Sequence, residues 1–312
     1  MWTAQQDTHH TPCQVVDMGS LQEALRTALP RMGPNQRAIA EFLLERPDEG
    51  AFLTASELGR RVGVSESTVV RFATSVGFPG YPELQRAVQE ELRSRLSTVE
   101  RMRSGLQQAR GHAQTLYSVW QNDIDNINRT FQQLDPKDFE RAVELLSEAR
   151  RIYVIGLRTS ACLAVLLTTS LLYLGREAVR VELGIGDHWE RMDLVGPGDV
   201  AVAISVPRYT RWTVELVKYA RSRGANAIAV TDSAVSPLGA VADVVLPAAT
   251  HFNAFIESFA APLSLLNALI LGVAMRDEQR SLDVLRRREA LWREQRVYIE
   301  PGSAGADPAG GD

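Results

Sequence analysis

The chain has 312 residues, of which 45% are hydrophobic and 23% are charged, and a formal net charge of −4. This composition predicts a folded protein with room for one large domain or two unequal ones, and it excludes a mainly disordered chain, which would be poorer in apolar residues. The two cysteines, Cys13 and Cys162, exclude a disulfide framework and favour a reducing compartment.

Neither a signal peptide nor a membrane span is expected. Residues 1–20 are polar, and the longest apolar run, residues 161–174, falls short of the ~20 residues that a membrane-spanning helix needs. We therefore expect a cytoplasmic protein with no membrane partner. Residues 1–19 and the Gly-, Ala- and Pro-rich residues 301–312 are expected to be disordered segments.

Residues 20–96 have the pattern of short helices separated by Pro and Gly. One helix is predicted to begin at the cap Thr54 or Ser56 and to end at Gly63, and the next begins at the cap Ser65. Two short helices separated by a glycine-containing turn have the spacing of a helix-turn-helix motif.

The second of these helices is expected to enter the major groove of DNA. Its first turn carries small polar side chains whose hydroxyls reach base edges or phosphates, and arginines on both helices suit guanine or phosphate contacts. Basic and acidic residues are balanced over residues 21–96, so charge alone leaves a helical dimerisation module as an alternative. The predicted DNA-binding residues are Arg60, Arg61, Ser65, Ser67, Thr68 and Arg71.

The stretch from residue 56 to residue 85 resembles the N-terminal domain of the MurR/RpiR family of bacterial transcriptional regulators. That family shows the pattern ELA…GVS.aTV.RF…LGf.Gf.efk. The positions that match it are Glu57, Leu58, Gly63, Val64, Ser65, Thr68, Val69, Arg71, Phe72, Gly77, Phe78, Gly80, Tyr81 and Leu84. The resemblance implies a DNA-binding domain over residues 20–96 that recognises a palindromic operator as half of a symmetric dimer.

Residues 97–129 are predicted to be a helical linker that ends in a long helix packed on the second domain. Its candidate buried positions are Leu106, Leu116, Trp120, Ile124 and Ile127.

Residues 130–280 alternate five short apolar strands with helices, which predicts a parallel sheet covered on both faces. A C-terminal helix is expected over residues 281–300, after an apolar helix that spans about residues 254–275. The predicted fold class is therefore an all-α helix-turn-helix domain followed by an α/β domain with a five-stranded parallel sheet flanked by helices.

Two strand-to-helix loops of this domain have the composition of an anion site. The first follows a strand that ends at Gly156, and the second begins at Ser205 and ends at Thr210. Helix starts offer free N–H groups, and loops at the carboxyl ends of parallel strands converge on one crevice. The alternative is that both are ordinary turns with capping hydroxyls.

Residues 150–275 resemble the sugar isomerase (SIS) domain, which binds phosphosugars through GxGxSxxxA and SxSGxT loops. Here Arg158 replaces the second glycine of the first loop, and Pro207-Arg208 replaces Ser-Gly in the second. The resemblance implies an anionic, phosphosugar-like ligand. The two added arginines would either bind a phosphate or carboxylate of this ligand or fill the pocket so that no hexose phosphate fits. The predicted ligand-binding residues are Arg158, Thr159, Ser160, Ser205, Arg208, Tyr209, Thr210 and Glu257.

A sugar-phosphate isomerase with an N-terminal assembly domain is the alternative function, and a structural oligomerisation protein is a third. Isomerisation needs a base, for which Glu257, His251 and His188 are candidates. We expect no catalysis, no cofactor and no metal site. The expected partners are an operator in double-stranded DNA, a small anionic ligand and identical subunits in a homodimer or homotetramer, with the helices over residues 161–174 and 260–275 as interface candidates.

Overall fold

The computed structural model describes residues 21–95, 97–108, 111–184, 186–251 and 257–299. Contacts divide the chain into two units. The helical unit ends at Asn122 and includes the described residues of Ser233–Ser236 and His251–Ser258, and the α/β unit holds the rest. The predicted fold class is confirmed, whereas the predicted disordered segments, residues 1–19 and 301–312, lie outside the described ranges.

The helical unit begins with short helices around one apolar core. They are α1 (Leu21–Ala28), α2 (Pro34–Glu45), α3 (Pro47–Gly50), α4 (Ala55–Val62), α5 (Glu66–Ser75) and α6 (Tyr81–Arg95), with a 3₁₀ turn at Leu29–Arg31. Each fully buried apolar side chain contributes roughly 1.5–3 kcal/mol to folding. The core includes Leu25, Ile39, Leu43, Leu58, Val69, Phe72 and Leu84.

Local signals set the helix boundaries. Pro34 lies in the first turn of α2, where an N–H has no helical partner. Thr54, and not Ser56, caps α4. Its hydroxyl accepts a hydrogen bond from the Glu57 N–H (3.2 Å), and the Glu57 carboxylate accepts one from the Thr54 N–H (2.8 Å). These reciprocal bonds form a capping box that determines where α4 begins.

Helices α7 (Thr98–Gln108) and α8 (His112–Gln133) follow. The predicted burial of their apolar residues is wrong, because the inward face of α8 is polar: Asn126 and Thr130 are buried. The apolar face points away from the protein's own core. The exposed fractions of Leu106, Leu116, Trp120, Ile124 and Ile127 are 67%, 51%, 59%, 50% and 39%.

The α/β unit is built on a parallel sheet with the strand order β2-β1-β3-β4-β5. Gly156 at the end of β1 pairs with Ile204 at the end of β3, so the loops that follow these strands leave the same edge of the sheet. The strands are β1 (Ile152–Gly156), β2 (Ala178–Val181), β3 (Val200–Ile204), β4 (Asn226–Thr231) and β5 (Val244–Pro247).

Helices cover both faces of this sheet, and alternate strand residues enter two separate cores. Val154 and Val202 pack with one layer of helices, and Tyr153 and Ala201 pack with the other. This two-sided burial explains why the strands are continuously apolar. The first layer contains α9 (Pro136–Glu148), α10 (Ala161–Tyr173) and α13 (Ala260–Arg276), and the second contains α11 (His188–Asp193) and α12 (Arg211–Ser222).

The C-terminal helices differ from the predicted ranges. Helix α13 begins at Ala260; residues 257–259 are not helical, and residues 252–256 lie outside the described ranges. Helix α14 (Glu278–Glu294) starts earlier than expected because Asp277 caps it, accepting a hydrogen bond from the Arg280 N–H (3.4 Å). Within the described residues no single helix is long and apolar enough to cross a membrane; α13 and α14 meet that test only as a pair, which is bent by 104°.

Candidate functional site

Helices α4 and α5 and the turn between them form the helix-turn-helix. Gly63 ends α4 with a φ of +76°, a left-handed conformation that glycine adopts without steric cost. Gly59 allows close packing, because a Cβ there would lie 2.7 Å from the Val64 carbonyl oxygen. Gly59 was not among the predicted motif residues, although a glycine inside a short helix often indicates close packing.

The first turn of α5 presents the predicted polar side chains. Ser65 caps the helix: its Oγ accepts a hydrogen bond from the Thr68 N–H (3.3 Å) and lies 2.9 Å and 2.8 Å from the hydroxyls of Ser67 and Thr68. Ser65, Ser67 and Arg71 are exposed, and Thr68 is half-buried. Because hydroxyls rotate, this cluster can exchange an internal hydrogen bond for one to a phosphate or a base.

The two arginines at the end of α4 differ in their surroundings. Arg60 and Arg61 are both exposed, but Arg61 forms an ion pair with Glu49, with Nη2 and Oε2 2.5 Å apart. A pair this exposed contributes little stability, so a phosphate can displace the Glu49 carboxylate.

Val70 adds an apolar group to the exposed face of α5. Its side chain is 42% exposed, and it lies beside Ser67 and Arg71 on the helix surface. An apolar side chain in a major groove can contact a thymine methyl group. Val70 was not among the predicted DNA-binding residues, because those were chosen for hydroxyl and guanidinium groups.

The first predicted ligand loop begins where β1 ends. A Cβ on Gly156 would lie 2.7 Å from the Ser160 carbonyl oxygen and 2.8 Å from the Ala164 Cβ, so only glycine lets this loop fold against α10. Ser160 is 4% exposed, whereas Arg158 and Thr159 project to the surface. The loop therefore presents a cation beside a buried serine at the start of a helix.

The second loop follows β3 and is held by its own side chains. Ser205 is 4% exposed, and its Oγ accepts a hydrogen bond from the Thr210 N–H (3.4 Å). The Tyr209 hydroxyl donates to the Asp232 carboxylate at the end of β4 (2.8 Å). Burial and the Asp232 charge raise the pKa of Tyr209, so this phenol stays a neutral donor. Arg208 is exposed between these anchored residues.

Arg158 and Arg208 both have left-handed backbone conformations, with φ of +56° and +64°. Such a conformation costs roughly 1–2 kcal/mol for a residue with a Cβ. Both stand where the SIS pattern has glycine, so the loops keep a glycine-type backbone and gain two guanidinium groups. Within the described ranges the guanidinium of Arg158 has no ion-pair partner.

His188, a predicted alternative base, lies at the start of α11. Its ring stacks obliquely on Trp189 and meets Trp212 edge-on, with centroids 5.6 Å and 5.7 Å away. Both ring nitrogens are buried, and neither has a hydrogen-bond partner in the described part of the chain. Trp212 follows Thr210 by two residues, so this aromatic cluster adjoins the second loop. Among the described residues no carboxylate is hydrogen-bonded to the imidazole to orient it.

Glu257 is engaged in a buried ion pair. Its carboxylate contacts the guanidinium of Arg101 on α7, and the side chains are 11% and 1% exposed. The carbonyl of His251 accepts a hydrogen bond from Asn122 Nδ2 (2.7 Å). Arg101 was not predicted, because no local pattern marks a partner 156 residues away. The assignment of Glu257 to the ligand site stays a prediction.

A helix-turn-helix joined to an α/β domain with paired anion-type loops defines a DNA-binding regulator with a separate ligand-binding domain. Residues 19–95 match the model of the helix-turn-helix domain of the rpiR family, and residues 145–272 match the SIS domain. The HTH-type transcriptional regulator HexR of Pseudomonas aeruginosa is 30% identical over 263 residues, which cover 83% of this chain and 90% of HexR. The chain belongs to the RpiR family of HTH-type transcriptional regulators.

Two solved structures share the fold. The sugar isomerase domain of an RpiR transcription factor from Sphaerobacter thermophilus is 35% identical and has a TM-score of 0.55, covering 57% of this chain and 99% of that chain. NanR of Vibrio vulnificus, solved in complex with ManNAc-6P, is 22% identical with a TM-score of 0.54 and covers 88% of this chain and 98% of that chain. The likeness to NanR supports the fold alone.

Proposed function

We propose that this regulator binds a palindromic operator as a cytoplasmic homodimer or homotetramer, and that a small anionic ligand changes its operator affinity. The proposed domains are residues 20–96 for DNA binding, 97–129 as a helical linker, 130–280 for ligand binding and 281–300 as a C-terminal helix. A ligand can shift operator affinity only by as much as its own affinity differs between the DNA-competent and DNA-free arrangements.

The DNA contacts are assigned to the exposed faces of α4 and α5. Arg71 and the hydroxyls of Ser67 and Thr68 face the groove, Ser65 both caps α5 and donates to phosphate, and Arg60 and Arg61 bind the backbone. The observation in favour of this assignment is that all of these side chains except Thr68 are exposed, on two helices that pack closely at Gly59. One good contact between arginine and guanine is worth about 1–3 kcal/mol of discrimination.

The left-handed backbone of Arg158 and Arg208 carries the proposal of an anionic ligand. Two cations held in an unfavourable conformation, on neighbouring loops at the carboxyl edge of a parallel sheet, indicate a site that uses their charge. An arginine can bind a phosphate or a carboxylate through two parallel N–H groups. Thr159, Ser160, Ser205, Tyr209, Thr210 and Glu257 complete the proposed site.

A phosphosugar or a related phosphorylated metabolite is the ligand class that we propose. The same fold in NanR was solved with ManNAc-6P, which supports a phosphorylated ligand at the level of the fold. The glycine-to-arginine changes make the site more cationic than the SIS pattern, so the ligand here carries at least one strongly acidic group.

We propose no catalytic activity. Glu257 is paired with Arg101, and the buried ring nitrogens of His188 have no hydrogen-bond partner among the described residues, so these two of the three candidate bases are not placed to move a proton. His251, the third candidate, is assigned no role. The HTH-type regulators among the relatives also favour regulation over turnover.

Selection of genomic DNA fragments by the full-length protein, read by sequencing, tests the proposal. We expect an inverted repeat, with an affinity that falls steeply as salt rises. Arg71→Ala should weaken binding to it by about 10- to 100-fold. Recovery of no specific fragment, with or without a pool of sugar phosphates, would contradict operator binding.

The ligand is then sought by measuring operator affinity in the presence of sugar phosphates, with inorganic phosphate alongside. Arg158→Ala should abolish the response, whereas Arg286→Ala, which removes an exposed arginine of α14, should keep it. An unchanged response in Arg158→Ala and Arg208→Ala would remove both arginines from the site.

A further inference from the structure

A cavity on the α/β unit lies at the amino edge of the sheet, where α10 ends and β2 begins. It has a volume of about 820 Å³, and its walls are Gly175, between α10 and β2, and one side of α14. A Cβ on Gly175 would lie 2.6 Å from Val284 Cγ2, so only glycine lets α14 pack this closely on the end of α10. The walls of the cavity are therefore held together by tight packing.

Arginines predominate in the lining of this cavity. Besides Gly175 and Val284, the lining residues are Arg280, Asp283, Arg286, Arg287 and Arg288. Arg286 Nη1 donates to Asp283 Oδ1 (2.8 Å), so the charges of these two side chains compensate each other. Among the described residues, none of the other three arginines forms an ion pair with a carboxylate. The cavity is therefore cationic.

A fourth guanidinium group lies beside these three. The side chain of Arg176 is 5% exposed, and its Nη1 donates to the Ser147 carbonyl (2.7 Å). Its Nε and Nη2 are buried without a hydrogen-bond partner in the described part of the chain, and the Asp277 carboxylate is 3.7 Å from Nη2, too far for a hydrogen bond. Burial and the charge of Arg280 lower the pKa of Arg176, so the two guanidinium groups repel each other. We call Arg176, Arg280, Arg287 and Arg288 the arginine cluster.

A structural role at the end of α10 accounts for part of this arrangement. Arg280 and Arg288 each donate one N–H to a backbone carbonyl at this helix end, at 3.0 Å and 2.5 Å, where carbonyls have no helical partner. Each bond uses one of the five N–H donors of a guanidinium group, so most donors stay available. Helix capping does not explain Arg287, which forms no side-chain hydrogen bond within the described ranges, or the unpaired nitrogens of Arg176.

We infer that the arginine cluster binds a small molecule that carries two linked phosphate groups, such as a nucleoside diphosphate. Two phosphate groups carry about three to four negative charges at pH 7, which matches four guanidinium groups with one carboxylate nearby. Arginine binds phosphate oxygens through two parallel N–H groups, and a second phosphate lets guanidinium groups on different sides of the cavity bind at once. The volume of the cavity also lies in the range of small-molecule sites.

The arginine cluster is separate from the proposed ligand loops. The first of those loops reaches Ser160, at the start of α10, whereas Gly175 follows the end of the same helix. Helix α10 has 13 residues and is therefore about 20 Å long. The two sites lie at opposite edges of the sheet, so one small molecule cannot occupy both. Diphosphate binding by the cluster goes beyond the proposed function and does not depend on it.

The experiment is calorimetric titration of the full-length protein with inorganic pyrophosphate, and separately with inorganic phosphate. An Arg158→Ala, Arg208→Ala background removes binding at the proposed ligand loops. In this background we expect one pyrophosphate site, with an affinity at least about 10-fold higher than that for phosphate. Adding Arg287→Ala should raise the dissociation constant of pyrophosphate about 10-fold or more. Thermal unfolding checks that this variant, which removes an exposed side chain, stays folded.

Two further variants make the test specific to the cavity. Arg293→Ala is the matched control, because it removes an exposed arginine of α14 that does not line the cavity, and it should leave the affinity for pyrophosphate unchanged. Asp283→Asn removes the carboxylate from the lining and should strengthen pyrophosphate binding. A purely structural role of the arginine cluster predicts no such increase.

Three results would overturn the diphosphate site. The first is equal affinity for pyrophosphate in Arg287→Ala and Arg293→Ala. The second is the loss of all pyrophosphate binding in the Arg158→Ala, Arg208→Ala background, which would assign the phosphate groups to the proposed ligand loops. The third is an Arg287→Ala variant that binds the operator more weakly but keeps its affinity for pyrophosphate, which would assign the arginine cluster to DNA phosphates instead.

Discussion

The helical unit and the α/β unit use left-handed backbone positions differently. In the helical unit the described residues with positive φ in and after the helix-turn-helix are glycines, Gly63, Gly77 and Gly111, at +76°, +96° and +116°. In the α/β unit glycine serves the turns at Gly175 and Gly224, but Arg158 and Arg208 replace it in the two loops of the proposed ligand site. Scaffolds follow local rules, and departures from those rules concentrate at functional sites.

The α/β unit tolerates an unfavourable backbone conformation where neighbouring residues hold the loop in place. The first loop keeps its shape because Gly156 and Ser160 are buried at the start of α10, and the second because Tyr209 is bound to Asp232. Rigid neighbours of this kind can hold a residue in a sparsely populated conformation. The DNA-binding turn has no such departure, because glycine already stands at each tight position.

The largest expected effect comes from alanine substitutions at the two glycines of these units whose backbone is packed closely against another backbone oxygen. Gly59→Ala and Gly156→Ala each place a Cβ 2.7 Å from a backbone oxygen, so each should destabilise its own unit by about 2–3 kcal/mol. Thermal unfolding followed by calorimetry measures the loss. Gly59→Ala should also abolish operator binding, and Gly156→Ala should abolish the ligand response.

Matched controls use glycines with open space around the Cβ position. Among the described residues, and apart from the adjacent residues in the chain, no atom lies within 4 Å of that position in Gly33 or Gly184, and neither glycine has a positive φ. Their alanine variants should change stability by less than about 0.5 kcal/mol. Equal losses in all four variants would mean that glycine flexibility, and not close packing, sets the effect.

Sequence patterns predicted much of the scaffold because its signals are local. Caps, glycines and apolar periodicity lie within a few residues of the helix or strand that they define, as at Ser65 and Gly63. The pairs Tyr209–Asp232 and Arg101–Glu257 could not be predicted, because they join residues that are distant in sequence. The predicted burial of the apolar residues of α8 was wrong for another reason: periodicity identifies an apolar face but does not show what that face contacts.

A smaller effect of opposite sign is expected when glycine is restored in the ligand loops. Arg158→Gly and Arg208→Gly remove a strain of roughly 1–2 kcal/mol, partly offset by the greater freedom of glycine in the unfolded chain. Each should therefore stabilise the α/β unit by about 0.5–1 kcal/mol and eliminate the ligand response. Chemical denaturation and operator affinity with and without sugar phosphates measure the two effects.

Arg296→Gly is the matched control for these variants. Arg296 also has a left-handed backbone (φ +51°), but it follows the end of α14, where glycine commonly ends a helix. Its variant should gain similar stability and keep the ligand response. A loss of stability in Arg158→Gly and Arg208→Gly, with a gain in Arg296→Gly, would show that the loop arginines form stabilising contacts.

The smallest expected effects are on the pH dependence of the stability of each unit. Hydrogen bonds from the Thr54 N–H and hydroxyl hold the pKa of Glu57 below its ordinary value. Burial, aided by the Asp135 charge, raises the pKa of Asp138 in α9. Glu57 therefore stabilises the helical unit above the ordinary glutamate pKa of about 4.3, and this contribution is lost as pH falls through the lowered folded value.

Asp138 has the opposite sign, because the folded state binds its proton more readily than the unfolded chain does. Its ionised form is unfavourable above the raised folded pKa, and that penalty disappears as pH falls towards the ordinary aspartate pKa of about 3.9.

Unfolding measured from pH 6 to pH 3 in Glu57→Gln and Asp138→Asn isolates the contribution of each carboxyl group to stability. The stability advantage of wild type over Glu57→Gln should shrink as pH falls, and its disadvantage against Asp138→Asn should shrink too. A constant difference in either pair would mean that the group keeps its ordinary pKa in the folded state. For Glu57 that result would also mean that the charge of its carboxylate adds no stability to the capping box of α4.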